Sequence, residues 1–280
     1  MRVPSLRSVH RCGQAHDTRR YVRIGEDEDM DLNLTGRGVI VTGASKGLGR
    51  AAARTLAAEG AHVLAVARTE ASLNELAAEQ FAGKIEPQVC DMRDREQVAG
   101  LAKIAVERLG RLDAVVNNAG IAPAADFLEM DMSVFDEVME VNVTSLAVLS
   151  QAAARHFVDS GSGGRIINVV STSGILGKAT LAAYSASKGA AIQMTKALAA
   201  EWARHDIQVN AIAPGAFATE AQSYVTGNPD VLAKRVRKIP ARRMAEPDEI
   251  GPLVCYLASE SSKFVSGAVY VIDGGETAKQ

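Results

Sequence analysis

The stretch VIVTGASKGLG, residues 39–49, decides the fold of this 280-residue chain. Its β-branched beginning predicts a buried strand, and the glycines that follow permit a tight turn into a helix. The N-terminus of such a helix presents free backbone N–H groups and a positive potential to a phosphate. Strand, glycine turn and helix in this order predict the pyrophosphate cradle of a dinucleotide. The residues expected to form the cradle are Gly43, Ser45, Lys46, Gly47, Leu48 and Gly49.

On both sides of this stretch, short apolar runs alternate with alanine-rich helical windows, which predicts βαβ units and a parallel sheet. Several runs are nearly continuous, as in strands covered on both faces. We expect an α/β protein: a single doubly wound Rossmann domain over residues 31–280, with about seven parallel strands and helices on both faces. The predicted strands are 39–42, 62–67, 85–90, 113–117, 165–170, 208–212 and 269–272. The predicted helices lie near 48–59, 70–80, 94–109, 133–158, 182–204 and 247–258.

The composition argues against several classes of function. A net charge of −2 does not favour nucleic acid or an anionic membrane surface as a partner. No apolar run approaches the length of a membrane span. The five histidines show no ligand spacing, so no metal site is expected. Cys12, Cys90 and Cys255 are scattered and odd in number, which favours free thiols and a cytoplasmic location.

Residues 1–30 differ from the rest of the chain. Six arginines precede an acidic run, Glu26-Asp27-Glu28-Asp29, and the segment lacks the apolar core of a secretory signal. Its polarity predicts a flexible N-terminal extension. Three interpretations stay open: dispensable sequence upstream of a start at Met30, a functional tail, or a transit peptide, which the acidic run disfavours.

The end of the second predicted strand bears on the choice of cofactor. An acidic residue there would accept hydrogen bonds from a ribose 2′-hydroxyl. Here the residues are Ala67-Arg68-Thr69. Arg68 can fork onto a 2′-phosphate, and Lys46 in the glycine turn can add a second cation. The pattern predicts NADP(H) as the preferred cofactor with NAD(H) possible; the alternative is that both are solvated surface cations.

Tyr184 and Lys188 stand four residues apart, a spacing that places them on one face of a helix. A phenol near a cation has a lowered pKa and can act as an acid or base near neutrality. Taken alone, this spacing also describes an ordinary exposed pair. Ser171 lies thirteen residues before Tyr184, at the end of the fifth predicted strand, where ligands bind in parallel sheets. Ser173 is the alternative serine.

These residues resemble one family: the classical short-chain dehydrogenases/reductases. The resemblance runs from about residue 34 to residue 275 and rests on several motifs in the family's order. The motifs are the glycine turn, Asp91, Asn117-Asn118-Ala119-Gly120, Asn142, Ser171, Tyr184 with Lys188, and Pro214-Gly215 with Thr219.

The resemblance implies a role for each matching position. Tyr184 would donate or accept the proton, and Ser171 would hydrogen-bond the substrate oxygen. Lys188 would bind the nicotinamide ribose and lower the pKa of Tyr184, while Asn142 would help hold a water chain beside it. Asp91 would hold the adenine amino group. The remaining positions implied in cofactor binding are Met92, Asn118, Ala119, Gly120, Pro214, Gly215, Phe217 and Thr219.

The expected activity is therefore an NADP(H)-dependent interconversion of a ketone and a secondary alcohol, both small molecules. A sugar-acid dehydrogenase of the gluconate type and a 3-oxoacyl reductase stay open as alternatives. A non-catalytic dinucleotide-binding scaffold is the alternative of another class. Lys178 or Arg237 could meet a substrate carboxylate, and Phe217 and Tyr224 could cover the site.

Two further expectations concern the shape of the protein. Residues 216–241 are longer than a usual connection between helix and strand, and Gly227, Asn228 and Pro229 interrupt them, so we expect a lid. The resemblance implies a homotetramer, or a homodimer, built partly on the helices near 133–158 and 182–204.

Overall fold

The computed structural model describes residues 31–279. They form a seven-stranded sheet in the order β3-β2-β1-β4-β5-β6-β7, and every neighbouring pair is parallel. The predicted fold class is confirmed. The strands are β1 Gly38–Thr42, β2 His62–Ala67, β3 Lys84–Val89, β4 Ala114–Asn117, β5 Gly164–Val169, β6 Ile207–Pro214 and β7 Val269–Ile272. The predicted N-terminal extension, residues 1–30, lies outside the described residues.

The strand order reverses at β1, which pairs with β2 on one side and with β4 on the other. In open α/β sheets, the crevice beyond the carboxyl ends of the strands at such a switch point is where ligands bind. The glycine turn follows β1 at this crevice, and Asn118 follows β4 beside it. The topology alone therefore brings the predicted cofactor-binding loops to one edge of the sheet.

Helices cover both faces of the sheet because alternate strand residues point to opposite sides. Val39 and Val41 of β1 pack with helices α1 (Gly47–Ala58) and α9 (Gly251–Ala258). Ile40 between them packs on the other face with α3 (Arg95–Leu109) and α5 (Ser145–Ser160). In β1, β4, β5 and β6 both faces are buried, which is why most of the central strands read as apolar runs, whereas the edge strands β3 and β7 are partly exposed. The helices are α1 Gly47–Ala58, α2 Glu70–Ala77, α3 Arg95–Leu109, α4 Met132–Met139, α5 Ser145–Ser160, α6 Ala182–Trp202, α7 Ser223–Thr226, α8 Pro229–Val236 and α9 Gly251–Ala258.

The helix predicted over residues 133–158 contains a wide turn that periodicity does not reveal. A single π-helical turn, Glu140–Thr144, separates α4 from α5, and the Ser145 N–H bonds to the Glu140 carbonyl five residues back. Arg95 of α3 holds the first residue of this turn through two hydrogen bonds to the Glu140 carboxylate, of 2.7 and 2.5 Å. Turns of this kind often occur at functional sites, and this one contains Asn142.

Residues 216–241 leave the regular alternation of strand and helix, and their role as a lid stays a prediction. Phe217 forms a parallel bridge with Ala245, and the short helices α7 and α8 follow. The Arg235 guanidinium of α8 binds the Glu276 carboxylate through two nitrogens, at 2.5 and 2.7 Å, which ties this segment to the residues after β7. Within residues 31–279, the helices are too short or too polar to cross a membrane.

Candidate active site

Tyr184 and Lys188 lie on the first turns of α6, as their spacing predicts. The Lys188 ammonium lies 5.7 Å from the centroid of the Tyr184 ring. Its side chain is buried, with 4% of the residue exposed, and its Nζ donates a 2.8 Å hydrogen bond to the Val169 carbonyl at the end of β5. That bond fixes the ammonium under the carboxyl edge of the sheet. Within residues 31–279, no carboxylate forms an ion pair with Lys188.

Ser171, immediately after the end of β5, is the serine that meets the tyrosine. Its side chain lies beside that of Tyr184 and lowers the pKa of the tyrosine hydroxyl. The Ser171 Oγ also accepts a 3.0 Å hydrogen bond from the Ser173 N–H, so the Ser173 backbone orients the Ser171 hydroxyl. Both serines line the same cavity as Tyr184. Its position beside the Tyr184 hydroxyl favours Ser171 over Ser173 as the group beside the substrate oxygen.

The electrostatics of the pair differ from the sequence-based expectation. Burial raises the pKa of the Tyr184 hydroxyl, and the neighbouring Ser171 side chain opposes that effect only in part. The net shift of the Tyr184 pKa is upward, opposite to the direction expected from a neighbouring cation. Burial instead lowers the pKa of Lys188 from 10.5 to about 8, because an ammonium in an apolar interior loses its hydration. Tyr184 therefore keeps its proton at neutral pH, and Lys188 can exchange one near that pH.

The lowered pKa of Lys188 predicts how stability depends on pH. Between pH 8 and 10.5 the unfolded chain binds the lysine proton and the folded chain does not, so stability rises with pH in that window. We expect the free energy of unfolding of the wild type, relative to Lys188→Met, to rise by about 3 kcal/mol across it. Urea unfolding of both proteins at several pH values measures this difference. A difference that stays constant across the window would contradict the lowered pKa.

Asn142 reaches the site because the π turn directs it inward. Its Oδ1 accepts a 2.8 Å hydrogen bond from the Ile121 N–H, and its Nδ2 donates 2.9 Å bonds to the Ile121 carbonyl and the Ser187 hydroxyl. A methyl group at Gly120 would lie 3.1 Å from the Asn142 Oδ1 and 3.4 Å from the Lys188 Nζ. Asn142 and Lys188 thus both lie next to Gly120. The water chain beside them stays a prediction.

The glycine turn has the close backbone approaches that a pyrophosphate cradle needs. Gly43 and Gly47 have φ angles of +66° and +55°, which side-chain-bearing residues rarely adopt. A methyl group at Gly49 would lie 2.3 Å from the Gly43 carbonyl oxygen and 2.4 Å from the Asn118 Nδ2. No side chain caps the first turn of α1, so its N–H groups remain available to a ligand. These residues fit a dinucleotide.

Hydrogen bonds from the loop after β4 brace this cradle. The Asn118 Nδ2 donates a 2.9 Å bond to the Thr42 carbonyl. The Thr42 hydroxyl accepts 3.0 Å bonds from the N–H groups of Asn118 and Ala119. Asn118 therefore joins the ends of β1 and β4, and Thr42 is a contributor that the sequence analysis did not single out.

Arg68 and Lys46 are exposed and line the cavity at its nucleotide end. Within residues 31–279, neither forms an ion pair with a carboxylate. The charge of Arg68 helps to hold the pKa of Asp91 low, so the two side chains lie near each other. Both cations are thus available to an anionic ligand at the end of β2.

Asp91 also lines the cavity, but its carboxylate already has a partner. Arg93, two residues later, donates to it from the backbone N–H and from the guanidinium, at distances from 2.6 to 3.1 Å. These hydrogen bonds hold the pKa of Asp91 at about 2. An adenine amino group would therefore meet an ionised and fully oriented acceptor. Arg93 is a second contributor that sequence reasoning missed.

One cavity of about 1040 Å³ is lined by all the predicted site residues except Asn142 and Gly49. Its nucleotide end continues past Met92 and the loop after β6 to the catalytic side chains. The loop contributes Pro214, Gly215, Phe217 and Thr219. A methyl group at Gly47 would lie 3.4 Å from the Thr219 side chain, so the two loops meet across the cavity.

The substrate end of the cavity differs in part from the sequence-based expectation. Lys178 lines it, whereas Arg237 does not; Arg235 and Lys238 line it instead. Arg235 is neutralised by Glu276, which leaves Lys178 and Lys238 as the cations without a carboxylate partner within residues 31–279. Phe217 lines the cavity, but Tyr224 is 74% exposed and does not.

Comparisons with known proteins show the family to which this chain belongs. A family model described as enoyl-(acyl carrier protein) reductase matches residues 43–277. The 2-dehydro-3-deoxy-D-gluconate 5-dehydrogenase of Escherichia coli is 35% identical over 249 residues, covering 89% of this chain and 98% of that protein. Galactitol 2-dehydrogenase (L-tagatose-forming) of Cereibacter sphaeroides is 39% identical over 248 residues, covering 88% and 97%.

A solved structure agrees as well. The gluconate 5-dehydrogenase of Burkholderia cenocepacia, in complex with NADP and tartrate, superposes with a TM-score of 0.83 at 33% identity. The alignment covers 89% of this chain and 98% of that one. The chain therefore belongs to the classical short-chain dehydrogenase/reductase family, and it is an oxidoreductase that acts on an alcohol/ketone pair with NAD(P).

Proposed function

We propose that Tyr184 is the proton donor and acceptor of this oxidoreductase, and that the chain interconverts a ketone and a secondary alcohol with NADP(H) preferred. One observation carries the proposal. The Tyr184 and Ser171 side chains lie side by side at the wall of one cavity, and the buried Lys188 ammonium lies 5.7 Å from the centroid of the Tyr184 ring. One cavity is thus lined by a proton donor, Tyr184, by a hydrogen-bonding partner for the substrate oxygen, Ser171, and by a source of protons, Lys188.

The nicotinamide of a bound cofactor supplies or accepts the hydride. In reduction, the Ser171 hydroxyl orients the carbonyl oxygen, and Tyr184 delivers its proton as that oxygen gains charge. The raised pKa of Tyr184 keeps the hydroxyl protonated at neutral pH until then. Lys188, with a pKa of about 8, can restore the proton and stabilises the tyrosinate by its charge. In oxidation, the same groups move the proton in the opposite direction.

The preference for NADP(H) rests on charge at the end of β2. Arg68 occupies the place where an acidic residue would favour a ribose 2′-hydroxyl, and Lys46 faces the same end of the cavity. A guanidinium fork matches the geometry of a phosphate. The similar gluconate 5-dehydrogenase of Burkholderia cenocepacia binds NADP in its solved structure. In this proposal NAD(H) is the weaker cofactor. It can still bind, because the cradle holds only the pyrophosphate, which both cofactors contain.

A sugar acid or related hydroxy acid is the second candidate for the substrate class. Lys178 and Lys238 line the substrate end of the cavity without a carboxylate partner within residues 31–279. Ala122, Ala124 and Leu176 make other parts of that lining apolar. Two of the similar proteins are named for sugar-acid substrates. The proposed range of substrates therefore runs from simple ketones to oxo acids.

The experiment that tests the function is a panel assay on the full chain. Simple ketones, oxidised sugar acids and 3-oxoacyl thioesters are each offered with NADPH and with NADH, and oxidation of the cofactor is followed by absorbance. We expect turnover with at least one ketone class and a higher kcat/KM with NADPH. A higher value with NADH would overturn the cofactor preference. Tight NADPH binding with no turnover on any compound would instead support the non-catalytic scaffold.

We also propose a cytoplasmic location and a homotetramer. Two cysteines among the described residues, Cys90 and Cys255, are free and buried, which suits a reducing compartment. Leu128 and Phe264 are large apolar side chains that are 90% and 103% exposed in the single chain. Sedimentation velocity of the full chain tests the assembly, and a monomer across micromolar concentrations would contradict it.

A further inference from the structure

Ser187 has a buried hydroxyl and lies in the turn of α6 that also contains Tyr184 and Lys188. It precedes Lys188 directly and follows Tyr184 by three residues, and none of its surface is exposed. Its Oγ accepts a 2.9 Å hydrogen bond from the Asn142 Nδ2 and donates a 2.7 Å bond to the Tyr184 carbonyl. The proposed proton transfer itself does not use this group. Its partners, however, are two of the four residues proposed to carry the reaction.

The hydrogen bonds of Ser187 close a chain through three separate segments. The Asn142 side-chain amide in the π turn bonds to both backbone groups of Ile121, which lies in the loop after β4. Its remaining amide hydrogen goes to Ser187 on α6. The loop beside the cofactor cradle, the π turn and the catalytic helix are therefore held together through one amide and one hydroxyl.

We infer that Ser187 is a positioning residue, which fixes the start of α6 against Asn142 and thereby aligns Tyr184 with Lys188. A hydroxyl is required because this position must both accept and donate within a space that has no exposed surface. Without it, the second Asn142 amide hydrogen would be buried without an acceptor, and the amide would turn to find one. Turning would release the Ile121 backbone as well. The inference rests on the proposed role of Tyr184.

Ser185 offers a matched control in the same helix turn. It lies two residues before Ser187, and its Oγ is buried without a hydrogen-bond partner in residues 31–279. It does not line the cavity in the part of the chain that the structure describes. Replacing either serine by alanine removes the same atom from the same element. Only the loss at Ser187 breaks the link to Asn142.

The experiment compares Ser187→Ala and Ser187→Cys with Ser185→Ala, using the best ketone of the panel and NADPH. A cysteine matches serine in shape and is a weak donor and acceptor. We expect both Ser187 variants to lose kcat on the order of tenfold with the ketone KM unchanged. Ser185→Ala should keep the wild-type kcat. In an Asn142→Ala background, Ser187→Ala should add less than a twofold loss, because its partner is already absent.

Several results would overturn the inference. These are an unchanged kcat in the Ser187 variants, an equal loss in Ser185→Ala, or a full additional loss in the Asn142→Ala background. Failure of both Ser187 variants to fold would also overturn it, because the hydroxyl would then serve stability and not alignment. Retained activity in Tyr184→Phe would instead refute the proposed function, so the two failures are distinguishable.

Discussion

Tyr184→Phe is expected to lower kcat by roughly two to four orders of magnitude, the usual contribution of a positioned proton donor. The substitution removes one hydroxyl, which the cavity presents beside Ser171, and leaves the ring where it packs near Lys188. Neither the ring nor the cradle around Gly43 and Gly49 changes, so NADPH should bind as in the wild type. Stopped-flow reduction of a ketone gives kcat, and quenching of protein fluorescence gives the affinity for NADPH.

The matched control for this variant is Tyr224→Phe. Tyr224 is 74% exposed and does not line the cavity in the described part of the chain, so its hydroxyl should be dispensable. We expect a kcat within twofold of the wild type. A Tyr184→Phe enzyme that turns over at a comparable rate would show that another group delivers the proton. Loss of NADPH binding in that variant would show that the tyrosine hydroxyl holds the cofactor, which contradicts the division of roles proposed here.

The double variant Arg68→Ala/Lys46→Ala is expected to reduce kcat/KM for NADPH roughly a hundredfold and to leave that for NADH nearly unchanged. Hydrogen bonds to a charged phosphate are worth about 1.5–3 kcal/mol each, and exposure of both cations keeps them at the lower end. Each single variant should therefore lose roughly tenfold with NADPH. Steady-state kinetics with both cofactors measures the change, and kcat at saturating NADPH should not move.

Arg204→Ala controls for a general loss of positive charge. This exposed arginine precedes β6, at the edge of the sheet opposite the cavity, and should leave both cofactor preferences intact. An equal decline with NADPH and NADH in the double variant would show that Arg68 and Lys46 act on the pyrophosphate or on the fold. In that case the 2′-phosphate would have no recognised partner, and the preference for NADP(H) would need another explanation.

Much of the fold could be predicted because each local signal agrees with the global arrangement. Continuous apolar runs mark strands that are buried on both faces, and glycines occur where positive φ angles are needed, as at Gly43 and Gly47. Because the carboxyl ends of parallel strands lie at one edge of the sheet, the motifs that follow the strands come together at that edge. Ser171, Tyr184 and Lys188 meet for this reason, although the sequence separates them from the glycine turn by more than 100 residues.

The features that sequence reasoning missed depend on distant contacts or on burial. The ion pair of Arg235 with Glu276 joins residues 41 positions apart, and no local pattern announces it. Arg235 and Lys238 line the cavity, whereas Arg237 does not. This depends on where α8 ends, and the spacing of residues in the sequence does not fix that position. The raised pKa of Tyr184 reflects how deeply the hydroxyl is buried, and burial outweighs the opposing effect of the Ser171 side chain.

The π turn has a consequence for how the site is encoded. Each residue of an α-helix advances the side-chain direction by about 100°. Removing one residue from Glu140–Thr144 would let an ordinary α-helix run from α4 into α5, and it would swing Asn142 away from Ile121 and Ser187. The asparagine would still be present in the sequence, yet it would no longer face the site. Chain length in this turn is therefore as much a determinant of the active site as the identity of any side chain in it.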